Sequence, residues 1–531
     1  MLNIMKRIPL ALILFLLAVV KSSAQLALAD VQTIIAQAVT RATALPGSPL
    51  ATNAVIAIAD REGWILGVWA LNPNLPLSDP NVGNAISKAG AAAFLSSDNN
   101  AFSSRTAGFI VQQHFPPGIS NTAPGPLVGV NFSQLAFSDI NKFKAPGSVI
   151  TFGSSPGTNL VAPPLAGTGG LAGTPGGLPL YDKSGHLIGG VGVSGDGTAA
   201  TNVTAAVIAS PDGDEDVALA GQTGYTPPGK ILGSDVFVGG IRLAYVASST
   251  SLGTVHDFAG LPGAVLAPFT LIGSPAPYSY PVATLGGETG QIRQPFISDP
   301  ATLPLLGGTA RLSVTEVSNI IVAAANRART TRAGIRLPLG QTAQVFITVV
   351  NNPNQPGFPP VVLGTFCTSP NTTRFSWDVA VQKARTAVFF SNNSRAYSAR
   401  TVGFLAQQYY PPGIDGTQPG IFRGLQEMFS VITSPPTNFT NPLNGAAIVT
   451  TNQPDPNLPN GITLFPGGFP LYRNGVLIGA IGVSGDGVDQ DDLISASGAS
   501  LFLAPVPIRA DQTQYRGARL PFAKFPRNPA L

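Results

Sequence analysis

The sequence predicts an α+β protein built from two tandem copies of one domain, each an antiparallel sheet with packing helices. Three observations carry that prediction. A glycine-rich segment, "LPLYDKSGHLIGGVGVSGDG" at 178–197, returns as "FPLYRNGVLIGAIGVSGDG" at 469–487. A longer block, "SKAGAAAFLSSDNNAFSSRTAGFIVQQHFPPGI" at 87–119, returns as "QKARTAVFFSNNSRAYSARTVGFLAQQYYPPGI" at 382–414. The glycine-rich repeat carries hairpin chemistry and not the long crossover of a parallel sheet.

The second block is gapless. Lys88 and Lys383, Arg105 and Arg400, and Pro116 and Pro411 each stand 295 residues apart. Ser194 and Ser484 are 290 apart, so the second copy has shorter connections. An insertion then separates "VSGDG" from "DGDEDVALAG" in the first copy, and aligning Asp216 with Asp492 sets the offset there at 276. The ends also agree, "GGIRLAYV" at 239–246 with "RGARLPFA" at 516–523.

Each copy opens with a helix. Val31, Ile34, Ile35, Ala38 and Val39 form one apolar stripe behind the cap candidate Asp30, and Val317, Ile320, Ile321 and Ala324 form another behind Thr315. Two strands follow, "NAVIAIAD" and "GWILGVWAL" in the first copy, "AQVFITVV" and "VVLGTFCT" in the second. An alanine-rich helix over 87–95 and a short helix over 106–114, stopped by Pro116 and Pro117, come next. The glycine block then reads as strand, turn and strand. Asn474-Gly475 marks the turn in the second copy because both residues accept positive φ. A last helix begins near Asp214 or Asp489, giving the order α-β-β-α-β-β-α.

Domain boundaries follow: a signal peptide over 1–24, the first domain over 25–246, a connector over 247–309 and the second domain over 310–531. The connector is rich in Pro, Gly and Ser and lacks helical period, so it reads as irregular chain lying on a domain surface. Lys6 and Arg7 precede an apolar run from Ile8 to Val20, and Ser22-Ser23-Ala24 supplies small residues before a cleavage point. That run reaches only about 20 Å, short of the ~30 Å bilayer core. The expectation is a secreted or periplasmic protein with no membrane span after cleavage.

Composition narrows the function classes. Of 531 residues, 11% are charged, while 60 Gly and 49 Pro are present, a balance suited to an extracellular surface. Without residues 1–24 the chain loses Lys6, Arg7 and Lys21, leaving 27 bases against 26 acids. No basic cluster remains to grip phosphates, so nucleic acid is not an expected partner. Cys367 is the sole cysteine, which excludes an internal disulfide, a Cys-based zinc or iron–sulfur site, and covalent c-type haem attachment.

The residues "GGFPLYRNGVLIGAIGVSGDGVDQDD" resemble the signature of the GlcG/HbpS-type haem-binding (haem-degrading) domain family. Gly467, Gly468, Pro470, Gly479, Gly482, Val483, Ser484, Gly485, Asp491 and Asp492 match, and the Lys383 helix is similar to that family's alanine-rich helix. The first copy matches at Gly176, Gly177, Pro179, Gly189, Gly192, Val193, Ser194 and Gly195, then departs through its insertion. The resemblance covers roughly 60% of each half and implies non-covalent binding of haem or another tetrapyrrole. It leaves haem degradation as an activity that no residue announces.

Candidate ligand contacts follow from the resemblance. His114 and Tyr409 occupy the same repeat position, and both residue types ligate haem iron; either ring equally suits packing against the Pro-Pro turn. Arg105 with Thr106 and Arg400 with Thr401 recur at a helix start, where Thr caps and Arg offers a fork for a propionate or for a buried salt bridge. Lys88 and Lys383 are second propionate partners or snorkelling helix-end residues. The resemblance implies a ligand cleft near the Arg-Thr helix and the Ser-Gly loop, the loop that Ser194 and Ser484 mark. The glycines of that loop suit either an anion cradle or close backbone packing. Asp486, Asp489, Asp491 and Asp492 suit either a cation or the first turn of a helix. No hydrolase assembly emerges. The alternative function is an extracellular structural or interaction protein that keeps the fold without a cofactor, with edge strands that could pair it into a homo-oligomer.

Overall fold

The computed structural model describes residues 25–128, 171–197, 208–425 and 458–524, apart from 78, 113, 268, 276–279, 301, 302, 304, 305, 336, 338, 339, 356, 357 and 459. The expected signal peptide and the end of the second domain lie outside the described residues.

Leu28–Thr43 forms α1, and the short turn Leu50–Asn53 is α2. Ala27 is the N-cap of α1, and Asp30, three residues in, accepts the Ala27 N–H at 2.8 Å. Asp30 therefore serves the cap from inside the first turn. The predicted stripe of α1 is fully buried. Strands β1 (Val55–Asp60) and β2 (Ile65–Ala70) pair antiparallel, Val55 opposite Ala70. Next come α3 (Pro80–Leu95), α4 (Ser104–Ile110), β3 (Gly177–Tyr181), β4 (Leu187–Ser194) and α5 (Gly213–Gly221). Helix α3 starts seven residues before the alanine-rich segment because Asp79 caps it and Pro80 sits where a helix tolerates proline.

A two-residue ribbon, β5 (Phe237–Val238) with β6 (Ile241–Arg242), follows, and then β7 (Ala264–Val265), β8 (Val282–Leu285) and β9 (Glu288–Gln294). The second half repeats the plan as α6 (Val314–Thr330), β10 (Phe346–Asn351), β11 (Val362–Cys367), α7 (Phe375–Phe389), α8 (Ala399–Leu405), β12 (Gly468–Arg473), β13 (Val476–Ser484), α9 (Val488–Ala499) and the ribbon β14 (Gln514–Tyr515) with β15 (Ala518–Arg519). Ser313 caps α6 in a capping box with Glu316, two residues ahead of the expected Thr315.

Two antiparallel sheets result, ordered β3-β4-β1-β2-β7 and β12-β13-β10-β11-β9-β8. In the first, Ile56, Ile58, Leu66, Val191 and Val193 face α1 and α5, while Val55, Ala57, Ala59, Ile65 and Val68 face α3. Each sheet thus lies between a helix pair and a single helix. The α3-side core runs on into Phe346, Cys367, Phe375 and Trp377 of the second half, so the halves are joined by apolar packing.

The connector departs from its irregular reading. Val265 pairs with Trp69 at the edge of the first sheet, and Ile292 pairs with Phe366 within the second. Residues expected on a surface therefore complete both sheets.

Close approach explains two repeated glycines. A Cβ at Gly192 would overlap the Ala85 carbonyl oxygen of α3, and one at Gly482 the Ala380 carbonyl oxygen of α7. Helix and sheet meet backbone to backbone there, which is the packing reading of the glycine block.

Candidate functional site

In each half the last residues of one strand, the Ser-Gly-Asp loop after it and the start of an acidic helix converge. A lysine from the opposite face of the sheet reaches into them. Lys88 Nζ donates to Asp214 Oδ2 at 2.6 Å and to the Val193 carbonyl at 3.0 Å. Lys383 Nζ donates to Asp491 Oδ2 at 2.8 Å and to the Val483 carbonyl at 2.8 Å. Gly176 and Gly467, at φ +109° and +112°, bring the backbone over these ammonium groups, where a Cβ would stand 3.1 Å from Nζ. Both lysines are buried. Burial pushes the Asp214 carboxyl up to about 7 against the pull of Lys88.

The arginines are equally engaged. Arg105, fully buried, forks onto Glu215 at 2.7 and 2.9 Å and also meets the Ile208 and Ser210 carbonyls. Arg400 bonds Asp492 at 3.0 Å and Asp489 at 2.7 Å. Thr106 and Thr401 are not the caps of their helices. Ser103 and Ser398 hold that position, and each threonine stands at the third helical position, reaching back in a capping box.

These partners correct the repeat alignment. Asp214 and Glu215 correspond to Asp491 and Asp492, an offset of 277, where the sequence matched Asp216 to Asp492. Asp216 instead pairs with Arg41 of α1 at 2.6 Å. The four acids of the second copy are likewise committed: Asp486 accepts the Leu337 N–H at 2.9 Å, and Asp489 also meets Lys524 at 3.2 Å. In the first half Asp196, Asp212 and Asp214 bring carboxylate oxygens within 4.8 Å of one another. Asp212 caps α5 there, and Asp214 holds Lys88.

His114 and Tyr409 lie where the two Pro-Pro-Gly turns meet. Their rings stack with centroids 5.8 Å apart and 12° between planes. His114 Nδ1 is 2.6 Å from the Thr122 carbonyl oxygen, and Nε2 is 2.6 Å from Asp415 Oδ1. Both ring nitrogens face oxygens. His186 reaches Asp98 at 3.2 Å. Ser194 donates to Asn81 Oδ1 at 3.0 Å, whereas Ser484 borders a crevice.

That crevice is the site the structure adds. Leu127, Ile335, Phe375, Val379, Phe465 and Val488 wall it, with Lys383, Ser484, Asp486 and Asp491 at its polar end. It encloses about 390 Å³ counting its open mouth, though the space between its walls admits little more than a water or two. Of the predicted contacts, Lys383 and Ser484 meet here. Arg105, Thr106, Arg400 and Thr401, and the rings His114 and Tyr409, are not among its walls. Phe375, Val379 and Lys383 fall at i, i+4 and i+8 on α7, a stripe readable in the sequence that marks one wall.

Residues 320–500 match the model of a family described as haem degrading protein, HbpS-like. They hold every wall residue of the crevice except Leu127. Among solved structures, the chain is similar to the PduOC:heme complex at 21% identity, covering 37% of this chain and 98% of that one, with a TM-score of 0.23. Protein ORFY of Klebsiella pneumoniae is 16% identical over 37% of this chain and 95% of that one, with a TM-score of 0.22. A double mutant of Streptomyces reticuli HbpS is 19% identical over 39% and 96%, with a TM-score of 0.21. No curated protein matches the sequence.

Proposed function

Residues 320–500 belong to the HbpS-like family, and on that premise we propose that the chain is an exported protein that binds haem or a related tetrapyrrole without a covalent link. The family match is the observation that carries this reading. The apolar crevice within the matched segment supports it by offering a greasy slot with a polar end, the form that small-molecule sites take.

The described residues do not fit a haem held by an axial iron bond. No His, Tyr, Cys or Met lines the crevice, and His114 keeps both ring nitrogens on other oxygens. The reading therefore rests on contact with the planar, apolar macrocycle, and a crevice of this width has to open to admit it. Lys383 at the polar end bonds Asp491; a propionate approaching there would compete with that carboxylate for the ammonium group.

Titration of the purified protein with haemin and with iron-free protoporphyrin IX tests the reading. Contact without iron ligation predicts comparable micromolar binding of both. Absence of any Soret or fluorescence change with either removes the proposal.

One observation favours a second reading, an extracellular structural or interaction protein without a cofactor. Lys88, Lys383, Arg105 and Arg400, the cations available for propionates, are each bonded to an acid of the same half. Electron microscopy of the exported material separates the two, filaments or ordered assemblies favouring the second. Export itself rests on the layout of residues 1–24. Sequencing of the secreted protein should find Gln25 at its N-terminus.

A further inference from the structure

The turn between β1 and β2 carries Arg61 and Glu62 across to the second half, where they meet Arg374 at the start of α7 and Arg293 on β9. Arg374 Nε bonds Glu62 Oε1 at 2.7 Å, and Arg61 Nη1 bonds Asp98 Oδ1 at 3.0 Å. Arg293 is left with the longest contact, Nη1 to Glu62 Oε2 at 3.8 Å. Its side chain is 1% exposed, and its Nε and Nη1 find no hydrogen-bond acceptor among the described residues. The Arg61 Nε and the Trp377 indole N–H are buried in the same condition. The Arg293 guanidinium lies 3.9 Å from the ring centre of Tyr280, 5.5 Å from Trp377 and 5.8 Å from Phe346.

Charge within these ion pairs does not balance among the described residues. Burial works to raise the Glu62 carboxyl, but Arg374, Arg293 and Arg61 overcome it and hold it down at about 2, so it is ionised. Among the described residues, three guanidinium groups, Arg61, Arg293 and Arg374, share two carboxylates, Glu62 and Asp98, in these ion pairs, so within the pairs one positive charge is in excess. His186, which also reaches Asp98, can only add to that excess. An uncompensated buried charge is destabilising, and facing rings recover part of that cost. Water can satisfy the orphaned donors but not the charge.

We propose that the junction of the two halves binds one small monovalent anion of chloride size, with the Arg293 guanidinium as its principal contact. One monovalent anion offsets the excess within these ion pairs and supplies an acceptor to donors that have none among the described residues. The aromatic surround selects a weakly hydrated halide over a sulfate or phosphate, whose second charge overshoots and whose many lone pairs the rings cannot meet. The site ties together a turn of one half and a helix start of the other, so its occupant acts as a structural ion. It stands independently of tetrapyrrole binding.

Bromide-soaked crystals of the full chain test this directly. One anomalous peak in contact with Arg293 Nε is expected, and a junction without any such peak overturns the proposal. In solution, replacing gluconate by chloride at constant ionic strength should raise the melting temperature by a few degrees and saturate. Arg293→Met should lose that chloride-specific rise. An equal rise in Arg293→Met would place the ion elsewhere and sink the proposal; should the variant fail to fold, the bromide map on the native protein decides.

Discussion

His114 and Tyr409 stand at the same position of the two repeats, and their rings stack on each other at 5.8 Å. A residue that meets its own counterpart is the signature of a two-fold relation, the geometry of an isologous dimer. Nearby, Asn121 and Asp415 exchange bonds in both directions, each backbone N–H donating to the other's side chain at 3.4 and 3.0 Å. The tandem chain thus holds in one polypeptide a contact of the kind that two separate copies make.

The stack predicts unequal effects at its two rings. Tyr409→Phe keeps the ring and loses only a hydroxyl whose contact with Gln408 is 3.4 Å long, so urea unfolding should shift little. His114→Ala removes the stack together with the Thr122 and Asp415 contacts, and should cost about 1–3 kcal/mol. Equal costs for the two variants would mean the stack is incidental.

Lys383 and Asp491 predict strong non-additivity. Lys383→Met strands a buried carboxylate and should destabilise by about 3–5 kcal/mol, while Lys383→Met with Asp491→Leu should recover most of that. A double-mutant cycle in urea measures the coupling. Additive losses would show that the pair does not act as a unit.

At Gly482 the prediction is steric. An alanine there drives its Cβ into the Ala380 carbonyl oxygen of α7, backbone against backbone, and no side chain can rotate away. Gly482→Ala should destabilise by at least ~1–3 kcal/mol. Gly475→Ala, at φ +80° with open space around it, should cost no more than about 1 kcal/mol through its backbone alone. Thermal melts of both variants give the comparison.

What the sequence made legible is the repeat and the elements within it, because each copy independently spelled the same stripes and hairpins. The buried Val31 and Ile34 and the Asn474-Gly475 turn fell where period and turn chemistry put them. The connector did not, because β8 and β9 carry Thr, Gln, Glu and Gly in place of a period-2 apolar pattern. A hairpin signal was nonetheless present in Gly286-Gly287, both at positive φ between those strands. The acidic helix was aligned one residue out because Asp216 and Asp492 share a letter, whereas Arg105 and Arg400 select Glu215 and Asp492. The candidate cations fared similarly. An arginine that suits a propionate suits a glutamate equally, and only the fold shows that Glu215 lies within reach of Arg105.

Two carboxyls predict opposite pH limbs. Glu62, held at about 2 against an ordinary 4.5, binds fewer protons folded than unfolded over that interval. Its contribution is in full force above about pH 4.5 and disappears as pH falls through 2. Asp214 runs the other way: raised from 3.8 to about 7, it holds a proton in the folded state that the unfolded chain has released. Its contribution is in full force below about pH 4 and is lost as pH rises through 7. Stability from these two groups alone should therefore peak near pH 4, with a falling limb that approaches one proton taken up on folding. Asp214→Asn, which keeps an oxygen for Lys88, should flatten the falling limb and leave the acid limb untouched. Urea midpoints across about pH 2 to 8 read both limbs. A native protein that gains stability from pH 4 to 7, with no difference from Asp214→Asn, would mean that Lys88 keeps Asp214 ionised throughout.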